Sequence, residues 1–142
     1  MTVVCVLERN MMRVLVTGSR DWTDYNEIIR NLTLIIEDMT YYYPDEKKMT
    51  FVHTGQKGAE NMVTEYIGKI EKYMRQKGYT IKEELFRYKG TSEMQEKIMR
   101  DYEMMNSGIN SAIVFMKNSC KRSQYFVKIL EEFQIPTRII KG

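Results

Sequence analysis

Cysteine, histidine and proline are scarce in this 142-residue chain, which holds two cysteines, one histidine and two prolines. Cys5 and Cys120 stand far apart and match neither metal-ligand nor disulfide spacing, which points to a reduced, cytoplasmic protein. With His53 as the lone histidine, no cluster exists for a transition-metal site, and neither metal nor cofactor is expected. Long apolar runs are missing too. None approaches the ~18 residues that span a bilayer, so no membrane partner is expected. The opening "MTVVCVLERN" lacks a basic n-region, and its apolar stretch is too short for a signal peptide. Three familiar signatures are also absent: the dinucleotide fingerprint GxGxxG, the P-loop and the nucleophile elbow.

Charge of one sign is lacking as well. The 22 basic and 19 acidic residues leave a net charge of +3, and the two signs are interspersed, as in "EKYMRQK". A duplex-DNA binder would gather its charge on one face, so nucleic acid is not the expected partner. A small anionic ligand remains compatible. The 43% hydrophobic content is that of a globular protein, and the length fits one domain over 1–142. Twelve methionines and ten tyrosines follow no stripe or repeat and read as core filler.

What is present is alternation. Apolar "RVLVT" precedes a helical pattern in "TDYNEIIRNLTLIIEDM", where Asp24 stands three residues before Glu27 in a capping-box arrangement. Pro44 in "YYYPDEKK" is expected to end that helix. "TFVHT" predicts a second strand, and "NMVTEYIGKIEKYMRQK" a helix closed by Gly78. "YTIKEELFRY" predicts an outer strand. "EMQEKIMRDYEMMNS" predicts a helix with Met94, Ile98, Met99, Tyr102 and Met105 as its apolar face. "SAIVFM", "SQYFVKILEEF" and "PTRII" complete the series as strand, helix and strand. The pattern predicts an α/β protein: a Rossmann-like, doubly wound, mainly parallel sheet of about five strands with helices on both faces.

In such sheets ligands bind beyond the carboxyl ends of the strands. Three turns lie there. In "TGSRDW", Gly18 permits positive φ and close approach of a ligand, and free N–H groups there suit an anion. Ser19 adds a hydroxyl and Arg20 a planar guanidinium suited to phosphate. This turn by itself reads equally as a connector. A second turn, "HTGQKGAE", places Gly55 and Gly58 around Gln56 and Lys57, with small Ala59 behind them, and two such turns favour a ligand site. The third, "NSCKRS", offers Ser119, Lys121 and Arg122, either as a solvated basic loop or as phosphate contacts. His53 reads as a structural, hydrogen-bonded residue before a general base, Trp22 as packing before stacking, and Arg100–Asp101 as a surface ion pair.

The stretches "RVLVTGSRDWTD", "VHTGQKGAE", "RDYEMMNSG" and "QIPTRII" resemble the YspA-type branch of the SMF/DprA–LOG (SLOG) superfamily of Rossmann-like nucleotide-binding domains. Its relatives include cytokinin-activating phosphoribohydrolases, DprA and sensors of NAD-derived signals. The resemblance spans Met12 to Ile140 and leaves residues 1–11 as an alternative start, an extension or an extra strand. It implies ligand contacts from Gly18, Ser19, Arg20 and Asp21, from Gly55, Gly58, Ala59 and Glu60, and from Arg100 and Asp101. Thr54 stands where the family often has glycine, and Glu60 where it has aspartate. With the turn residues Thr54, Gln56, Lys57, Ser119, Lys121 and Arg122, these form the candidate binding set.

The hydrolases of the superfamily carry "PGGxGTxxE" where this chain has "KNSCKRSQYF". The missing glutamate argues against glycosidic cleavage. The expected activity is therefore binding of a phosphorylated nucleotide derivative, of the ADP-ribose, NAD-derived or other signalling type, with little or no turnover. One alternative is a nucleoside-monophosphate phosphoribohydrolase, for which Arg100, Glu60 and Asp101 are the candidate catalytic residues. Another is DprA-like binding of single-stranded nucleic acid. The resemblance also implies a homo-oligomer. Frequent Lys, Asn, Ile and Tyr codons point to an AT-rich phage or low-GC bacterium, and a phage protein would act in the host cytoplasm by sequestering a signal.

Overall fold

The structure, a computed structural model, describes residues 12–87, 94–118 and 120–142. The segment 1–11 and Ser119 lie outside the described residues. Strands and helices alternate as β1 (Met12–Gly18), α1 (Tyr25–Tyr42), β2 (Lys48–His53), α2 (Ala59–Gln76), β3 (Thr80–Leu85), α3 (Met94–Met105), β4 (Ser111–Met116), α4 (Lys121–Glu132) and β5 (Thr137–Lys141). Every pairing is parallel, in the order β3-β2-β1-β4-β5. The Rossmann-like architecture expected from the alternation is therefore the one observed, with charged β3 at an edge.

Side-chain alternation along the strands divides the core into two layers. Val14 and Val16 of β1, with Phe51, Ile113 and Phe115, pack under α1 and α2. Leu15, Val52 and Val114 face α3 and α4, meeting Met104, Phe126 and Leu130. Trp22 is buried against Phe115, ring centroids 5.3 Å apart, and its indole N–H donates to the Asp24 carbonyl at 2.9 Å. It is a packing residue.

The helix ends follow local chemistry. Asp24 Oδ1 accepts the Glu27 N–H at 3.1 Å. The reciprocal half of the capping box is not made, because Glu27 turns its carboxylate to Arg30 and Asn31. Helix α1 runs through Tyr42, past Met39, where the helical pattern was expected to give way to a loop. Pro44 restricts the residue before it, Tyr43, whose φ of −131° breaks the helix while its N–H still reaches the Met39 carbonyl. Gly78, at φ +90°, ends α2 in a Schellman motif: Tyr79 N–H bonds Met74 O and Gly78 N–H bonds Arg75 O.

One expectation fails. Of the apolar face predicted for α3, only Met105 is buried, together with Met104 and Asp101. Met94, Ile98, Met99 and Tyr102 are exposed. The period was read correctly, but a period alone does not say whether an apolar face meets a core or a cleft.

Candidate functional site

The sheet order changes direction at β1, whose neighbours are β2 on one side and β4 on the other. A crevice outside the strand ends is expected at that switch point. Gly18 closes β1 there without a positive φ. A Cβ on it would sit 2.6 Å from both the Ala59 Cβ and the Phe115 carbonyl oxygen, so this glycine serves close packing of three elements. Ser19 is fully buried and joins the same elements. Its N–H donates to Phe115 O (2.8 Å), its carbonyl accepts from Trp22 N (3.2 Å) and Ala59 N (3.3 Å), and its Oγ accepts from Lys117 N (2.8 Å). Arg20 is exposed, with Nε donating to Gln56 Oε1 at 2.9 Å. Asp21 is also exposed, and its carbonyl accepts from Lys117 Nζ at 3.3 Å.

The second turn faces inward. Glu60 Oε1 accepts the N–H of Thr54 (2.8 Å), the Thr54 hydroxyl (2.7 Å) and the N–H of Gln56 (3.3 Å), while Oε2 accepts from Thr17 Oγ1 (3.1 Å). The Gly55 N–H donates to His53 Nδ1 at 3.0 Å. That bond leaves the proton of the neutral ring on Nε2, 2.7 Å from Glu83 Oε2. The Thr64 hydroxyl donates to the same Glu83 oxygen. An outward anion cradle is thus not what this turn forms: three successive N–H groups are taken up by the chain's own side chains. Gly55 and Gly58 both have φ +80°. A Cβ on Gly58 would lie 2.4 Å from the Ser19 carbonyl oxygen and 2.5 Å from that of Arg20, so glycine there lets the two turns touch.

Burial works to lower the His53 pKa, but the carboxylates of Glu60 and Glu83 outweigh it and hold it above 6.5. For Glu60, burial works upward, yet His53 and the hydrogen bonds of Thr54 and Gln56 bring it below 4.5. His53 is accordingly a structural, hydrogen-bonded residue.

Above these turns opens a cleft of about 560 Å³, lined by Arg20, Gln56, Met94, Lys97, Ile98, Asp101, Lys121, Arg122 and Tyr125. Met94, Lys97, Ile98 and Asp101 stand at i, i+3, i+4 and i+7 of α3 and so share one helix face. The opposite wall is the first two turns of α4. That helix begins at Lys121, two residues earlier than expected, and has no acidic residue in its first turn. Two cations at a helix N-terminus oppose the helix dipole, a placement that an anion between them would relieve. Cys120 caps α4. Burial raises its thiol pKa, but the Ser123 hydroxyl and N–H, the Ser19 hydroxyl and the Arg122 N–H bring it down on balance.

Of the candidate binding residues, Arg20, Gln56, Lys121 and Arg122 line the cleft. Gly18, Ser19, Thr54, Ala59 and Glu60 are buried in its supports. Gly55 and Gly58 shape the second turn, and Lys57 projects as an exposed side chain. Arg100 pairs with Glu103 at 3.4 Å and is not part of the cleft lining, whereas Asp101 is, so the two do not form the surface ion pair expected of them. Met94, Lys97, Ile98 and Tyr125 were not singled out as site residues from sequence. The available signal was a lysine lodged in the apolar face of α3. A further groove of about 600 Å³ lies along α1 and α2, away from the strand-end turns, with Glu37 and Lys77 as the charged residues of its lining among the described residues.

An all-parallel sheet with a cation-rimmed crevice at its switch point defines a Rossmann-like α/β protein. Residues 12–67, from β1 into α2, match the family described as YspA, cpYpsA-related SLOG family (YAcAr), and over that stretch the chain carries the family's signature. The resemblance read from "TGSRDW" and "HTGQKGAE" is thereby borne out, while α3 and α4 lie beyond the matched residues. No curated protein and no solved structure matches the chain. Among the described residues, no helix is long and apolar enough to cross a membrane.

Proposed function

We propose that this protein binds a phosphorylated nucleotide derivative in the cleft between α3 and α4 and holds it with little or no turnover. The observation that carries this reading is the lining itself. Arg20, Lys97, Lys121 and Arg122 converge from three elements, beside the apolar Met94–Ile98 wall and the Tyr125 ring. The cations suit phosphate, the wall and ring suit a base, and the volume falls within the ~300–1,000 Å³ usual for small-molecule sites. The family match supports a nucleotide-related ligand. ADP-ribose, an NAD derivative or another signalling nucleotide fits this chemistry, and sequestering such a signal is a role that binding alone fulfils in a host cytoplasm. Calorimetric titration against a nucleotide panel tests the proposal: micromolar binding that is lost in Arg20→Ala supports it, and no binding at high micromolar concentration overturns it.

A second reading, hydrolysis of the N-glycosidic bond of a nucleoside monophosphate, draws support from Asp101, a carboxylate in the cleft. Glu60 is less suited as the acid, since its oxygens already accept four hydrogen bonds inside the protein. Release of free base, abolished by Asp101→Asn, would favour this reading over pure binding. Exposed Tyr41, Tyr42 and Met99 support the self-association implied by the resemblance. Sedimentation equilibrium tests it.

A further inference from the structure

The imidazole of His53 is fully buried at the end of β2 and has a carboxylate on each side. Glu60 of α2 has Oε1 3.7 Å from Nδ1, and Glu83 of β3 has Oε2 2.7 Å from Nε2. The Thr64 hydroxyl of α2 donates to that Glu83 oxygen and lies 3.5 Å from Nε2. Arg87, just past β3, brings a cation to the same turn: its guanidinium carbon would be 3.5 Å from a Cβ on Gly55. The Glu83 side chain is 19% exposed, so the cluster reaches solvent through its carboxylate.

Nδ1 accepts the Gly55 N–H at 3.0 Å, which is the arrangement of a neutral ring. A proton taken up from solvent at Nδ1 cannot coexist with that bond, because a protonated imidazole donates from both nitrogens. The acceptor nearest to the new N–H is Glu60 Oε1. That oxygen already takes the Thr54 N–H (2.8 Å), the Thr54 hydroxyl (2.7 Å) and the Gln56 N–H (3.3 Å), and the longest of these is the weakest. Gln56 is also the residue whose Oε1 holds Arg20 Nε at 2.9 Å on the cleft wall. Burial opposes the charged ring, but the two carboxylates outweigh it and bring the protonated form within reach near neutral pH.

We propose that His53 is a proton-operated latch on the second turn. Uptake of a proton at Nδ1 moves the ring's bond from Gly55 to Glu60, releases the N–H groups of Gly55 and Gln56, and loosens the tether that fixes Arg20. For the cleft this rests on the anionic ligand proposed above. Acidification adds a positive charge and two uncommitted donors beside it, and so tightens its hold on phosphate.

His53 is the sole histidine of the chain, so nuclear magnetic resonance of the isotope-labelled full chain follows its ring without ambiguity. A titration from about pH 5.5 to about pH 8.5 spans the ordinary histidine range. The Gly55 and Gln56 amide signals and the Arg20 Nε–H signal are expected to move with the midpoint of the ring. Hydrogen-exchange protection of both amides, corrected for the intrinsic pH dependence of exchange, should be about tenfold lower on the acid side, the worth of one hydrogen bond. The Thr54 amide, held at 2.8 Å, should keep its protection. These readouts need no variant. Amides that stay put while the ring titrates overturn the latch, as does a ring that remains neutral throughout. Calorimetry with ADP-ribose, whose diphosphate is esterified at both ends and gains no proton over this range, reads the link to the cleft. Binding should be several-fold tighter at about pH 6 than at about pH 8, and His53→Gln should remove the difference. Equal wild-type affinity at both pH values overturns that link. If ADP-ribose binds at neither pH while the amides follow the ring, the latch stands and the fault lies with the proposed ligand.

Discussion

The two glycine turns at the ends of β1 and β2 read alike in sequence and are built on opposite plans. The first turns outward: above the buried Ser19, Arg20 reaches the cleft. The second turns inward: the N–H groups of Thr54, Gly55 and Gln56 all bond to Glu60 or His53. A nest of backbone N–H groups attracts an anion, and here the Glu60 carboxylate occupies that place. The two are joined where Gln56 accepts from Arg20 and Gly58 lies against the Ser19 carbonyl. A glycine-rich strand end is therefore a ligand cradle only when its donors remain uncommitted.

The most severe way to break this arrangement is Gly58→Ala. Its φ of +80° and ψ of −129° are a pairing open to glycine, and the added carbon would strike two carbonyl oxygens at the junction of the turns. Denaturant unfolding should show a loss of about 3 kcal/mol or more. A loss below about 1 kcal/mol would mean that the turns do not depend on close contact.

Glu60→Ala comes next, at about 3 kcal/mol, because buried donors lose their acceptor. Formate, supplying the missing carboxylate, should raise the melting temperature of this variant and leave the wild type unmoved. Equal response in both would contradict the filled-nest description.

The pH dependence should be smaller. Glu60, with its pKa depressed below 4.5, contributes stability that is present above 4.5 and lost as pH falls through its folded value. His53, raised above 6.5, contributes stability that is present below 6.5 and lost as pH rises through its folded value. Between these limits the wild type should be most stable, and His53→Gln should flatten the decline above 6.5 and shrink the acid decline without abolishing it, since Thr54 and Gln56 still bond Glu60. An unchanged profile in His53→Gln would remove His53 from the account. Arg20→Ala should have the smallest effect on unfolding, within about 0.5 kcal/mol, while lowering nucleotide affinity at least about tenfold. Reversed magnitudes would make Arg20 a prop of the turn and not a ligand contact.

The architecture was legible because each element carries its own period and its own stop, from the apolar run of β1 to the Gly78 terminus of α2. Arg20, Gln56, Lys121 and Arg122 were legible as cleft residues because sheet topology alone sends strand-end turns to the switch point. The roles of Gly18 and Ser19 were not. A glycine pressed on a neighbouring backbone and one open to a ligand have the same letter, and only the position of Ala59 and Phe115 separates them. Glu60 was hidden likewise, since a first-turn glutamate gives no sign that its oxygens bend back to Thr54 and Gln56. In α3 the apolar period was plain, yet Met94 and Ile98 line the cleft, because amphipathicity records a preference for apolar surroundings and not their source.

Ser19 has a mechanical consequence. By bonding the end of β4, the start of α2 and the N–H of Lys117, it clamps three of the segments that meet at the cleft floor. Helix α3 is buried through Asp101, Met104 and Met105 near its C-terminal end, while Met94 and Ile98 are exposed. The cleft floor is thus a single tied unit: disturbing Ser19 should displace the ends of β1 and β4 and the start of α2 together.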